Sequence, residues 1–245
     1  MLAAEGFIAP RRILEGRDGF LHAYSRNAVA SRLTEHLGAS WEIEKTAVKP
    51  HSCCRYMQGP IDAVLALVRQ HQLMPAQIRT IQVAVLKAGW GIVCEPAPQK
   101  YNPQSVVAAQ FSMPFGAAVA AVEGAAGLDQ FTLKYIQSPA VHSMMQKVKL
   151  LKDSEIEKTF PREWPARVVI ETKSGGRHES FVRFPKGDPE NPLSWDEMSD
   201  KFVALCKPVL SREQCAEIVQ KVRNGSTAPA KLARACTVES AVPAR

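Results

Sequence analysis

Apolar positions recur at helical spacing along much of the chain and alternate with polar ones in a few short stretches. From Pro60, Ile61, Val64, Leu65 and Val68 fall on one face, which predicts an amphipathic helix to about Gln72, broken by Met74-Pro75. Pro60 suits the first helical position, where no backbone N–H is needed. Ile78 to Leu86 sets Ile81, Val83 and Val85 against Gln82, Ala84 and Leu86 and reads as a strand. Val148 to Leu151 and Ala166 to Thr172 read as two more strands. Ser174-Gly175-Gly176 then turns the chain into a returning strand, His178 to Phe184, to complete a β-hairpin.

Around this centre the pattern is helical. Residues 8–38 predict helix broken at Gly16 and Gly19, with a second segment from Ser25 to Leu37 ended by Gly38. Met1 to Phe7 reads as the last turn of a helix closed by Gly6 at a C-cap, rather than as a signal peptide. Trp41 to Val48 predicts a short strand. Met113-Pro114 opens an alanine-rich helix capped by Gly124, and Ser138-Pro139 opens another to about Lys147. Lys87 to Pro103 predicts an irregular loop. Ser194 with Glu197, and Ser211 with Gln214, are capping-box pairs that start two closing helices. Residues 225–245 are small and polar and predict a disordered tail. The fold class expected is α+β, with a small antiparallel sheet flanked by helices.

Composition narrows the chemistry. The 245 residues carry a net charge of +7, spread along the chain without a basic, aromatic-interleaved block, so nucleic acid is not the expected partner. An acidic small molecule fits the surplus. The six cysteines show no C-x-x-C spacing and no matching histidine pairs, so no zinc site is expected. Adjacent Cys53 and Cys54 suggest a reducing compartment, with cytoplasm the default. No apolar run approaches a membrane span.

One stretch concentrates the candidate chemistry. Lys49-Pro50-His51-Ser52-Cys53-Cys54-Arg55 places three cationic or titratable groups and two thiols just before the helix at Pro60. A basic loop running into a helix N-terminus favours anions. Lys49 is the strongest candidate, because a lysine near other cations binds carboxylates or transfers protons when its pKa falls. His51 and Arg55 are candidate substrate-binding residues. Cys53 and Cys54 lack a positioned base and read as packed small residues.

Four stretches in order resemble the C-terminal half of the MmgE/PrpD family: Gly6 to Pro10 with Ile13-Leu14-Glu15-Gly16 and Gly19-Phe20; Lys49 to Ala63; Ala109 to Phe115; and Pro185 to Phe202. The resemblance implies two domains, one all-helical and one smaller α+β domain inserted into it. Residues 1–38 would be a remnant of the helical domain, 39–192 the small domain and 193–224 closing helices of the helical domain, with 225–245 the tail. It also implies cofactor-free proton transfer on small di- and tricarboxylates, with Lys49 matching an active-site lysine. A histidine common in the family is Gln58 here. The tyrosine of decarboxylase-like members has its nearest position at Trp90, so a 2-methylcitrate dehydratase type is expected ahead of cis-aconitate decarboxylation. The remaining catalytic groups of the family lie in an N-terminal half that this sequence does not contain. The alternative to a truncated lyase is a non-catalytic module that binds a carboxylate metabolite or a partner chain. A homodimer or a complementing N-terminal half are the expected partners.

Overall fold

The computed structural model describes residues 2–225 and 227–237. They fall into two compact units, Met1–Thr46 and Ala47–Arg245.

The first unit has little regular structure. A 3-10 turn, Leu2–Glu5, is closed by Gly6 in the left-handed region (φ 82°). Helix α1 (Phe20–Tyr24) has no buried residue. The helix expected over Ser25 to Leu37 reduces to the 3-10 turn Ala30–Leu33, and the strand expected over Trp41 to Val48 is instead the 3-10 turn Glu42–Lys45. Large apolar side chains stay in the open, with Ile8 91% and Leu37 77% exposed. Local propensity without a buried face seldom sustains a longer element.

The second unit is α+β. Helix α2 (Gln58–Gln70) carries the apolar stripe into the core, with Ile61, Ala63 and Val64 fully buried. Strand β1 (Ile78–Ala84) follows. The expected loop after it contains helices α3 (Lys87–Val93) and α4 (Ala97–Lys100). Its glycines and prolines disguised them: Gly89 lies where an added Cβ would meet the Tyr56 ring at 2.3 Å, and Ala97-Pro98 is a helix start. Next come α5 (Val106–Gln110), α6 (Met113–Glu123), α7 (Leu133–Ile136) and α8 (Pro139–Met145). Ser112 and Ser138 cap α6 and α8 by accepting from Phe115 N and Val141 N.

Strand β2 (Val148–Leu151), helix α9 (Ser154–Glu157), and strands β3 (Ala166–Thr172) and β4 (Arg177–Val182) complete the sheet. Its order is β2-β1-β3-β4. The hairpin β3–β4 is antiparallel, as is β1 with β3, but β2 runs parallel to β1, with Ile81 opposite Val148. The sheet is therefore mixed rather than antiparallel. The helical connection between β1 and β2 is a crossover that brings β2 back beside β1, at the edge of the sheet, in the same direction.

One face of the sheet buries Ile81, Val83, Val168 and Ile170 against α2, α6 and α8. Helices α2 and α6 touch at Gly116, where an added Cβ would meet Ile61 Cδ1 at 3.1 Å and Met57 Cε, just before α2, at 2.6 Å. A smaller cluster joins Ala84, Leu86 and Ile156 with Tyr56, Phe160 and Trp164. Helices α10 (Trp195–Cys206) and α11 (Arg212–Arg223) each begin with the expected capping box. Helix α12 (Pro229–Ala235) forms within the stretch expected to be disordered and lays Leu232 against Leu210, Cys215 and Ile218. Residues 226 and 238–245 of that stretch lie outside the described residues. No helix among the described residues is long and apolar enough to cross a membrane.

Candidate active site

The loop from Lys49 to Arg55 is held from three sides. Val48 N donates to Gly187 O at 2.8 Å, which ties its start to the turn after β4. Gln58, fully buried at the first position of α2, accepts from His51 N at 3.1 Å and places its Nε2 3.1–3.4 Å from the carbonyls of His51, Cys53 and Cys54. Arg55 Nη2 donates to Asp188 Oδ2 at 2.7 Å, and its guanidinium lies 4.7 Å from the Trp164 ring. That nitrogen is also 2.5 Å from Asp188 Oδ1, but off the hydrogen-bonding direction, so Oδ1 gains charge compensation without a donor of its own.

These contacts separate the three candidate residues. Arg55 spends its charge on Asp188 beneath the loop and lines neither of the two large cavities at the loop's surface. His51 lines both, and Lys49 lines the smaller. One cavity of about 390 Å³ is lined by Lys49, His51, Cys54 and Phe111 among others. The other, about 650 Å³, adds Asp62, Arg69, Lys186 and Asp200. The two share His51, Ser52, Leu128, Lys201 and Leu205, and so form adjoining parts of one hollow. The N-terminus of α2 is not an anion site: Gln58, Gly59, Pro60 and Ile61 are all buried.

His51 is 9% exposed, and its Nε2 lies 2.8 Å from Asp62 Oδ1. Asp62 Oδ2 accepts from Lys186 N at 2.8 Å. The carboxylate thus fixes the imidazole and pins the turn after β4 to α2. Lys49 Nζ donates to Cys53 O at 3.2 Å, and Lys201 Nζ from α10 donates to Lys49 O at 2.7 Å. Among the described residues neither lysine has a carboxylate within ion-pairing distance. Burial first, and then the ammonium of Lys49, pull Lys201 below the ordinary lysine value.

The Cys53 thiol behaves as a packing group. Burial, then the neighbouring Cys54, raise Cys53 far above a free cysteine. Trp90 donates to Glu95 at 2.7 Å and lies under Lys152, outside the hollow around Lys49. Sequence reasoning missed Asp62, Lys186 and Lys201. The signal was present in two separated motif stretches, Lys49 to Ala63 and Pro185 to Phe202, whose charged members converge here.

Known proteins bear on this arrangement. Residues 51–224 match the MmgE/PrpD C-terminal domain. The chain is 28% identical over 240 residues to the cis-aconitate decarboxylase-like protein oryM of Aspergillus oryzae, covering 91% of this chain and 48% of that protein. It is 25% identical over 232 residues to a cis-aconitate decarboxylase of Aspergillus terreus, covering 89% and 47%. The chain spans about half the length of the curated relatives it matches. Their names give the dehydratase type no preference over decarboxylation within the family. With the domain match running from His51, within the basic loop and two residues after Lys49, through α11, the chain belongs to the MmgE/PrpD family.

Proposed function

We propose that this chain supplies the carboxylate-binding wall of a lyase site that acts on a small di- or tricarboxylate. The observation that carries the reading is a hollow into which Lys49 and Lys201 project with no carboxylate paired to either among the described residues. Loss of CO2, or loss of water after proton abstraction, places negative charge next to a carboxylate. Fixed cations in a partly buried site stabilise that charge as it develops. Lys49 binds a substrate carboxylate or moves the proton. His51, oriented by Asp62, binds the substrate beside it. Arg55 acts through Asp188 to hold the loop in shape.

Of the two outcomes, the relatives' names favour decarboxylation of cis-aconitate, and the motif resemblance favours dehydration of 2-methylcitrate. The test is turnover of both compounds by the chain alone and by its mixture with a polypeptide corresponding to the other half of the relatives. Release of CO2 and loss of water are followed separately. Lys49→Ala is expected to lower turnover at least about 100-fold, as loss of a charged transition-state contact does. Turnover indifferent to Lys49→Ala would overturn the assignment.

A second reading, a module that works by associating with another chain, has support in the Met1–Thr46 unit. Phe7, Ile8, Tyr24, Leu37 and Ile43 are between 67% and 91% exposed there. Apolar surface on that scale is a usual mark of an interface. Light scattering on the purified chain, alone and with the complementing half, separates a homodimer from a heteromeric assembly; a stable monomer in both cases removes this reading.

A further inference from the structure

We propose that Lys201 is a second carboxylate-binding cation of the site, so that a polycarboxylate in the hollow meets two ammonium groups, from Lys49 and from α10. The proposal rests on the reading of this hollow as a carboxylate site and adds a residue to it. Three observations carry it.

Lys201 lies on the wall common to both parts of the hollow, where only four other residues are shared. Its Nζ is drawn in to the Lys49 carbonyl at 2.7 Å rather than extended into solvent. One of its three N–H donors is used there, leaving two for a ligand.

Of the three acids on the wall, two are engaged and the third, Asp200, is not paired with either lysine. Glu197, one turn earlier on α10, is 2.9 Å from Lys186 Nζ and accepts from Ser194 N. Asp62 is taken by His51 and Lys186 N. Asp200 lines the larger part of the hollow and pairs with no cation among the described residues. Among the described residues, neither the Lys49 nor the Lys201 ammonium has a carboxylate within 4.0 Å. That arrangement costs free energy when empty and is relieved by an anion. A fastener for the loop would need no charge: a neutral donor would serve the Lys49 carbonyl as well.

Citrate, a tricarboxylate, is the probe. It is titrated by calorimetry at low salt into the full chain, and into Lys201→Gln, Lys201→Arg and Lys49→Gln. In parallel the Nζ resonances of lysine are followed through a pH titration with and without citrate. Lys201→Gln is expected to weaken citrate roughly 10- to 100-fold, the usual range for a lost charge-assisted hydrogen bond, and Lys201→Arg to retain most of the affinity. Citrate is expected to raise the Lys201 pKa, as a carboxylate placed beside an ammonium does. Unchanged affinity in Lys201→Gln together with an unmoved Lys201 titration would overturn the proposal. If Lys49→Gln alone loses citrate, the carboxylate site stands and the role of Lys201 falls. If the unsubstituted chain fails to bind citrate, or if neither substitution weakens it, both fall.

Discussion

Gln58 holds both sides of the His51 peptide: its Oε1 accepts from the His51 N–H and its Nε2 donates to the His51 carbonyl, each at 3.1 Å. A single amide side chain can do both because it carries a donor and an acceptor side by side. The position is fully buried, so no water replaces these bonds. Gln58→Ala should therefore lower the free energy of unfolding by about 3 kcal/mol, from stranded backbone groups and a small cavity. Urea denaturation measures it. A loss under about 1 kcal/mol would show that the loop holds its shape without this clamp.

Gly187 faces Val48 at a distance that admits no side chain. An added Cβ would lie 1.8 Å from the Val48 carbonyl oxygen, and φ is 89°. Gly175 shares the left-handed conformation, with φ 91°, but has nothing within 4 Å. The pair separates strain from collision. Gly175→Ala is expected to cost about 1 kcal/mol, the usual penalty for a side chain in this region. Gly187→Ala should cost at least about 3 kcal/mol and displace the start of the Lys49 loop. Equal thermal shifts in the two variants would mean that the Val48 contact relaxes freely.

The cysteines should divide by burial. Burial first, then Glu95, push the Cys94 thiol up to about 12, and burial first, then Cys54, raise Cys53 as well. At pH 8 both are held as thiols, and the thiolate is the reactive form. Cys54 is half-buried on the hollow wall and Cys236 is exposed. Timed alkylation read by mass spectrometry should label Cys236 first, then Cys54, and leave Cys53 and Cys94 unmodified until denaturant is added. Citrate should slow Cys54 alone. Early labelling of Cys53 would contradict the packing of the loop.

What the chain revealed in advance follows from where its instructions are local. Periodicity found α2, β1 and the β3–β4 hairpin because each buries one face, and the serine caps of α6, α8, α10 and α11 are written within four residues. The direction of β2 was not local. It depends on the path of the chain between β1 and β2, so an antiparallel expectation met a parallel pair. The short helices at Lys87–Val93 and Ala97–Lys100 were hidden by glycine and proline, whose usual meaning as loop residues gave way to close packing at Gly89. In the site, the loop itself was legible from its clustered charges. Which charges remain free was not. Arg55 and Lys49 look alike in sequence, and only Asp188, 133 residues beyond Arg55, tells them apart.

The depressed Lys201 makes stability depend on pH in a defined direction. Its folded-state pKa lies below the unfolded lysine value of 10.5 because burial and the Lys49 ammonium disfavour the charged form. Between those two values the unfolded chain binds more protons than the folded one, so the free energy of unfolding rises with pH across that window. Below it the lysine is charged in both states, and the full cost of confining it is present. Lys201→Met removes the titration, so the stability of the unsubstituted chain relative to this variant should climb as pH rises through the folded pKa and level off above 10.5. Saturating citrate should abolish the climb, since a bound carboxylate favours the ammonium and lifts its pKa. Urea unfolding of both proteins across pH 7 to 11, with and without citrate, tests this. A difference that stays constant with pH would mean that the ammonium of Lys201 is as well solvated in the folded chain as in the unfolded one.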